Sequence, residues 1–251
     1  LREGLDDFKK LTFDSTKVEA NSAWPTDSGL ITGLVVRAEH MLRLLADHGI
    51  TVRLPAIIDE IIKTIRELHK QIQLSSGKKD SARKRGKLYR RQMRLARKAR
   101  KELTKAHERA KEKFNKLDVI PSERKVVATI VEWIDDDIKN LGLTITNADK
   151  RINRNEKVPA CEKIVSLSDQ DAAMIVKGER EPVVGYKPQI GRSENGFVTA
   201  IIVPEGNAAD SGQLRTIVDA SVKRTGIMPT VLSFDDGYTN TADREHYLGL
   251  G

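Results

Sequence analysis

The chain has 251 residues, of which 39% are apolar and 32% charged, and its formal net charge is +8. No apolar stretch approaches the roughly 20 residues that a helix needs to cross a bilayer, so we expect no membrane contact. The single cysteine, Cys161, excludes an internal disulfide and a cage of thiolate metal ligands, and it suits a reducing compartment.

The first predicted element is a strand over residues 11–18 (LTFDSTKV), in which apolar and β-branched side chains dominate. Asp14 lies in the middle of this run, although a carboxylate there needs a partner, a metal ion or solvent. Two interpretations stay open: Asp14 is a functional carboxylate, or the strand lies at a sheet edge and Asp14 faces water. Residues 26–28 (Thr-Asp-Ser) then form a good N-terminal cap for a helix.

The segment after this cap is predicted to form four helices, because apolar residues recur in it at helical spacing. The third helix has a narrow apolar seam, made mostly of alanine, at alternating steps of three and four residues. Four such helices predict either a bundle or an antiparallel helical arm. The predicted helices run from about residue 29 to 48, 54 to 72, 81 to 117 and 121 to 155.

The third helix carries a concentrated block of positive charge. Between Lys78 and Lys116 there are 18 Lys/Arg and 4 Asp/Glu, a local charge of +14, so the rest of the chain carries −6. Acidic partners four residues away are nearly absent over 81–101, so ion pairs within the helix do not neutralise this face. The residues expected to contact nucleic acid are Arg83, Lys84, Arg85, Lys87, Arg90, Arg91, Arg94, Arg97, Lys98, Arg100 and Lys101.

A block of this kind is typical of a surface that binds a polyanion, most often nucleic acid. The low aromatic content of 4% favours contact with phosphates over stacking on bases. The alternatives are a face that is simply solvated, or an arm that pairs with the acidic remainder of the protein.

From about Lys163 onward the pattern predicts strands. KIVSLSD is a short strand or extended segment, and residues 182–190 and 196–203 are two β-runs joined by a turn at Asn195-Gly196. An amphipathic helix follows and ends at Gly226. This order predicts an α+β sheet core in which residues 11–18 form the central strand.

The stretch TVLSFDDGY (230–238) predicts a short buried strand that ends in two adjacent carboxylates, Asp235 and Asp236. Functional groups collect at strand ends in open α/β sheets, although Asp-Asp-Gly also suits a plain turn. Metal ions that catalyse phosphodiester reactions need carboxylates from neighbouring strands. Asp14 and Asp235 are candidate ligands because both lie in apolar β-runs that could be neighbours. Another helix is expected from about Thr241.

Three motifs together carry a resemblance to a known family. FDSTKVEANSAWPTDSGLI lies near the start, GYKPQIGRSENGFV and VPEGNAAD lie in the middle, and FDDGY lies near the end. In this order they resemble DDE-type insertion-sequence transposases, closest to the ISNCY-like group that has a helical segment between the first and second catalytic strands. The resemblance spans nearly the whole chain, whereas FDDGY or DST alone is a weak signal.

The resemblance implies an RNase H-like mixed sheet core with a large all-helical insertion. It implies that Asp14 and Asp235 are catalytic and hold Mg²⁺ or Mn²⁺, and that Asp236 occupies a variable position of the motif. Tyr186 and Lys187 are expected beside the site, in contact with phosphate or, for Tyr186, in a packing role. The implied activity is metal-dependent cleavage and strand transfer of insertion-sequence DNA ends.

The implied domain organisation assigns residues 1–24 to the first strand of the core, 25–157 to the helical insertion and 158–251 to the rest of the core. The family's third carboxylate is a Glu on a helix further downstream, and Glu245 follows Asp235 too closely to fill that role. We therefore expect an excerpt of a longer protein, which by itself lacks a complete metal site.

The implied partner is DNA, both the transposon ends and the target, and a homo-oligomer on DNA is compatible with it. The expected location is the bacterial cytoplasm, at the nucleoid when DNA is bound. An alternative function is a non-catalytic nucleic-acid-binding protein that uses the basic helical arm on an RNase H-like scaffold. A third is a helical module whose basic arm binds an acidic protein.

Overall fold

The structure is a computed structural model that describes residues 5–22, 25–75, 81–159, 162–169, 171–178, 181–238 and 241–248. Its mixed α+β character agrees with the predicted fold class. The chain divides into two compact units, one formed by residues 24–167 and the other by residues 1–23 together with 168–251. Cys161 lies outside the described residues.

The unit of residues 24–167 contains the four predicted helices. Thr26 caps the first helix by accepting a hydrogen bond from the Gly29 amide at 3.0 Å, and Gly49 ends its 3-10 extension with a φ of 81°. Among the described helices, none combines the length and the apolar character needed to cross a bilayer. The helices are α1 (Asp27–Leu44), α2 (Ile57–Leu74), α3 (Ser81–Asn115) and α4 (Pro121–Asn153).

These helices form a bundle around a single core, which decides between the two predicted arrangements. The core draws buried side chains from all four helices, and α1 and α3 each pack against the other three. On α3 the predicted seam is buried, and its small side chains allow the neighbouring helices to approach closely. A polar tie also joins α1 to α4, because Arg37 Nε donates to both oxygens of the buried Asp137, at 2.8 and 3.0 Å.

The other unit contains a four-stranded sheet and a small three-stranded sheet. In the larger sheet the strand order is β6-β5-β1-β7, with β1 antiparallel to β5 and parallel to β7. The smaller sheet has the order β2-β4-β3. The strands are β1 (Lys10–Ser15), β2 (Val18–Glu19), β3 (Ala173–Ile175), β4 (Val183–Tyr186), β5 (Gln189–Ser193), β6 (Val198–Ile202) and β7 (Val231–Phe234).

Two helices complete this unit, α5 (Leu214–Thr225) and α6 (Thr241–Leu248), both close to their predicted positions. Side chains of α5 pack on one face of the larger sheet, against Leu11 and Phe13 of β1. Gly191 of β5 lies under this helix, where an added Cβ would come within 2.9 Å of the Phe13 ring and the Ser221 hydroxyl. The close packing of α5 therefore requires glycine at that position.

Two predicted strands are each divided in the structure. The run 11–18 breaks after Ser15, and the run 182–190 breaks at Lys187-Pro188, so each run contributes one strand to each sheet. Pro188 has no amide hydrogen for a ladder, and its carbonyl accepts the Thr16 amide at 3.1 Å where the two runs separate. The two runs pair with each other in both sheets, β1 with β5 in the larger and β2 with β4 in the smaller, so both pass from one sheet to the other at the same point.

Two other expectations about strands are corrected. The strand ahead of Asp235 was expected to be buried, but β7 lies at the edge of the sheet and Val231 is 48% exposed. A strand at an edge has a partner on one side only, which leaves its outer side open to solvent. For residues 163–169 a short strand or an extended segment was predicted, and the structure excludes the strand.

One buried histidine predicts how the stability of the bundle depends on pH. His107 of α3 is buried, and neither of its ring nitrogens has a hydrogen-bond partner among the described residues. Burial lowers its pKa, and Lys111 lowers it further, against the opposing effect of Asp135, whose Oδ1 lies 3.6 Å from Nε2. The folded state therefore favours the neutral ring. As the pH falls below the unfolded pKa of about 6.5, the unfolded state takes up a proton more readily and stability is lost.

We predict that His107→Leu reduces the fall in unfolding free energy between pH 7 and pH 5, as measured by urea denaturation. His69, whose pKa is also lowered by burial, contributes the part of the slope that remains. His40→Gln supplies a matched control, since it replaces an exposed histidine outside the core and should leave the slope unchanged. An equal slope in wild type and His107→Leu would contradict the prediction.

Candidate functional site

The two candidate aspartates lie at the same end of neighbouring strands. In the parallel pair of β1 and β7, Phe13 is opposite Phe234. Asp14 and Asp235 are the residues that follow these two partners. Hydrogen-bonded strands are about 4.8 Å apart, which makes the two positions direct neighbours. The structure thus brings together two residues that the sequence separates by more than two hundred positions.

Asp14 lies on a central strand, so the interpretation of β1 as an edge strand is wrong. The same interpretation placed the Asp14 side chain in solvent, and that part is confirmed. Along β1 the side chains alternate, with Leu11, Phe13 and Ser15 buried and Asp14 on the exposed face. The Asp14 side chain is 57% exposed. Asp235 is also exposed, so both carboxylates are open to a ligand.

Asp14 has two polar contacts through one oxygen. Its Oδ1 accepts the Ser15 amide at 2.7 Å and the Lys177 ammonium at 3.0 Å. Lys177 also donates to the main-chain oxygen of Ser15. Nothing in the sequence pattern indicated Lys177, which lies after β3, far from Asp14 along the chain.

Beneath the aspartates lies a polar cluster centred on Asp210, which sequence reasoning also missed. Asp210 Oδ1 accepts from Gln189 Nε2 and Lys187 Nζ, both at 2.9 Å, and Oδ2 accepts from the Ser15 hydroxyl at 3.2 Å. Burial alone would raise the pKa of Asp210, but the hydrogen bonds from Gln189 and Lys187 outweigh it and hold the pKa below its ordinary value. Asp210 therefore stays ionised as the counter-charge of Lys187.

Tyr238 joins the chain after Asp235 to the same cluster. Its side chain is fully buried, and its hydroxyl donates to Gln189 Oε1. Burial raises the pKa of this hydroxyl, and the nearby carboxylates of Asp210 and Asp14 raise it further, so it remains a proton donor. Through Ser15 and Tyr238, one buried cluster fixes the chain beside both aspartates.

Asp210 is the last residue of VPEGNAAD, one of the motifs that carry the family resemblance, so the sequence did mark this position. Its chemistry could not be read from spacing, because its partners are distant in sequence: Ser15 ends β1, Gln189 begins β5 and Lys187 lies just before β5. Only the pairing of β1 with β5 brings them together.

Tyr186 and Lys187 have structural contacts in place of the expected phosphate contact. Lys187 is only 7% exposed, and its ammonium lies against Asp210 and the Ala208 carbonyl oxygen. The Tyr186 hydroxyl donates to Asp169 Oδ1 at 2.5 Å, and this hydrogen bond raises the pKa of Tyr186 to about 12. Lys187 in this arrangement is not available to a phosphate.

The exposed carboxylates suit a hard divalent cation. Mg²⁺ binds oxygen ligands and keeps several waters, so two carboxylates on adjacent strands fit it as a partial set of protein ligands. Among the described residues, no group of three or more His, Cys, Asp or Glu side chains is arranged to hold a metal ion. Glu245 of α6 therefore does not complete such a group with Asp14 and Asp235.

The cations of α3 form the second candidate site. With 100° between successive residues and 1.5 Å of rise, nine of the eleven expected residues lie within about 140° of the helix circumference and along about 27 Å of its length. All nine are exposed. Arg85 and Arg100 lie outside this sector. We call the nine the basic stripe: Arg83, Lys84, Lys87, Arg90, Arg91, Arg94, Arg97, Lys98 and Lys101.

The rest of the helical unit neutralises little of the basic stripe. Arg97 pairs with Asp149 of α4 at 3.2 Å, and Arg90 reaches the neutral side chain of Asn153 at 3.5 Å. Of the basic stripe, only Arg97 forms an ion pair with a residue that the structure describes. Outside it, Arg100 donates from Nε to the Ile138 carbonyl at 3.0 Å and is held against α4. The stripe therefore keeps most of its charge.

No protein-family model, curated protein or solved structure matches this chain. Two arrangements within the molecule indicate what it can do. One is the pair of carboxylates at the ends of β1 and β7, and the other is the basic stripe of α3.

The Asp210 cluster predicts a specific pattern of stability. Asp210→Ala leaves the Lys187 ammonium buried without a counter-charge, so we expect a loss of about 3–5 kcal/mol in the free energy of unfolding. Adding Lys187→Met to that variant should restore a large part of the loss, as measured by chemical denaturation of the single and double variants. Glu194→Ala is the control, because its ion pair with Lys10 is exposed and should contribute less than about 0.5 kcal/mol. Equal effects of Asp210→Ala and Glu194→Ala would contradict this assignment.

Proposed function

We propose that this chain is part of a DDE-type DNA transposase and that Asp14 and Asp235 are its first two catalytic carboxylates. The observation that carries the proposal is that both follow directly after the paired residues Phe13 and Phe234 of the parallel strands β1 and β7, and that both side chains are exposed. Carboxylates on neighbouring strands repel each other, and Lys177 compensates the charge of Asp14 alone. A divalent cation held by both aspartates would remove the repulsion that remains.

The sheet supports an RNase H-like core. Three antiparallel strands, β6, β5 and β1, are followed by β7, which runs parallel to β1. The helical bundle is inserted in the chain between β2 and β3, after the strand that carries Asp14 and before the one that carries Asp235. This is the arrangement that the resemblance implies for the family.

In the proposed mechanism, Asp14 and Asp235 would hold Mg²⁺ or Mn²⁺ through their carboxylate oxygens. When bound, such an ion supplies a nucleophile at neutral pH and stabilises charge on the phosphoryl group. In the first proposed step, water attacks a phosphodiester at the transposon end, which frees a 3′-hydroxyl and leaves a 5′-phosphate on the flanking strand. In the second, that 3′-hydroxyl attacks a target phosphodiester and expels the 3′-hydroxyl of the target strand. Tyr238 and the Asp210 cluster maintain the positions of the two carboxylates.

The basic stripe supplies the proposed contact with DNA. Its nine cations lie on one side of α3 over about 27 Å, a length along which B-form DNA carries about 16 phosphates. Tyr89, the one aromatic residue in the segment 83–101, is only partly exposed. The stripe is therefore suited to hold the phosphate backbone without reading bases. A partner of this kind implies a location at the bacterial nucleoid.

A second candidate function is non-catalytic binding of nucleic acid through the same basic stripe. The observation that favours it is that the described residues supply two carboxylates and no larger group of metal ligands. Both proposals include DNA binding, and only the first includes cleavage. Substitution of the two aspartates therefore distinguishes them.

We predict that Asp14→Asn and Asp235→Asn each abolish Mg²⁺-dependent cleavage of transposon-end DNA by the full-length protein and leave its affinity for that DNA within about twofold. The substitution removes the charge that holds the cation and keeps the size of the side chain. Asp236→Asn is the matched control, since it makes the same change at the next position and should retain activity. Cleavage that persists in Asp14→Asn would refute the catalytic proposal and leave the binding proposal standing.

We also predict that replacing Lys87, Arg91 and Arg94 together by Gln weakens DNA binding and lowers its dependence on salt. The loss of three phosphate contacts should make the slope of log K against log[salt] shallower by about 3. The measurement is fluorescence anisotropy with a labelled duplex at several salt concentrations. The control replaces three exposed cations of α2 by Gln, namely Lys63, Arg66 and Lys70.

The control variant should keep the wild-type slope, because its cations lie on another helix. An unchanged slope in the α3 variant would refute the basic stripe as the DNA contact. Weak binding of wild-type protein to DNA at low salt would instead favour an acidic protein as the partner of α3.

A further inference from the structure

The ammonium group of Lys177 occupies the position beside Asp14 that a metal ion would take. We propose that Lys177 is a built-in counter-ion of this site, and that a divalent cation binds Asp14 only by displacing it. The inference deepens the proposed function and rests on Asp14 being a metal ligand. The contact that carries it is 3.0 Å from Lys177 Nζ to Asp14 Oδ1, with a second hydrogen bond to the Ser15 carbonyl.

The two cations cannot share this oxygen. An ammonium group has three donors and no lone pair, so Lys177 cannot act as a ligand of the ion that Asp14 binds. A divalent ion on Asp14 would lie within a few ångströms of a positive charge, where repulsion is strong. Because the ammonium holds Oδ1, a divalent ion at either oxygen of Asp14 would lie close to it, and the two cations compete for the carboxylate.

Comparison with Lys187 shows why Lys177 is the exchangeable lysine. The Lys187 side chain is 9% exposed and its partner Asp210 is 15% exposed, so that pair is enclosed. The Lys177 side chain is 28% exposed and that of Asp14 is 57% exposed. Water and ions reach the second pair and not the first. The two lysines thus have different roles, one in the fold and one at the site.

The chain around Lys177 allows it to withdraw without disturbing the core. Ile175, the last residue of β3, is fully buried, whereas Val176 is 49% exposed. Gly178 has a φ of 59°, and a Cβ added there would meet nothing within 4 Å. A lysine at this position, with its flexible four-carbon stem, can turn to solvent while the buried strand remains in place.

The test is a titration with Mn²⁺ followed by the electron paramagnetic resonance signal of the free ion. We expect Lys177→Met to bind Mn²⁺ about three- to fivefold more tightly than wild type, since an exposed ion pair no longer competes. Lys10→Met is the matched control, because Lys10 lies on the same face of β1 about 13 Å from Asp14 and its loss should leave the affinity unchanged. Asp14→Asn should abolish the Mn²⁺ binding of both wild type and Lys177→Met.

Each outcome of this titration has a distinct meaning. If Asp14→Asn loses Mn²⁺ while Lys177→Met binds it no more tightly than wild type, the counter-ion role is overturned and the proposed metal site stands. If wild type and Lys177→Met bind no Mn²⁺ at all, the metal site itself fails, and the inference fails with it. An equal gain in Lys177→Met and Lys10→Met would show a general effect of net charge and would also overturn the inference.

Discussion

The site depends on one interaction, the parallel pairing of β1 with β7. Strand β1 already pairs with β5 on its other side, so it is central, and the pairing with β7 places Asp235 directly beside Asp14. A shift of one residue in this register would turn one carboxylate to the opposite face of the sheet, because side chains alternate along a strand. The register between β1 and β7 therefore decides whether one cation could contact both carboxylates.

The buried cluster below the aspartates supports that register. Asp210 accepts hydrogen bonds from Ser15, Lys187 and Gln189, while Tyr238 donates to Gln189 from the turn that follows β7. The cluster contains polar and charged groups that are all satisfied by one another, which is the condition under which buried polar groups specify a single arrangement. It fixes the chain beside the exposed carboxylates through Ser15 and Tyr238, and its own hydrogen bonds do not use the oxygens of Asp14 or Asp235.

In the helical unit, one face of α3 packs into the core and the other face carries the positive charge. On α3 the alanine-rich seam packs into the bundle, and the basic stripe occupies the opposite, exposed side. Small residues on the buried side let a strongly charged helix pack closely, since the cations of the basic stripe remain in water. The charge is thus available to a polyanion at little cost to packing.

The sequence by itself determined the elements: helical spacing and caps located the four helices, and apolar runs located Asp14, Asp235 and most strands. These signals are local, because periodicity and capping depend on residues within a few turns of each other. Only the tertiary structure decided that β7 is an edge strand, that Lys187 is enclosed by Asp210, and that Lys177 reaches Asp14. Those facts depend on which strands pair and in which register, and a pairing between residues so far apart leaves no trace in local spacing.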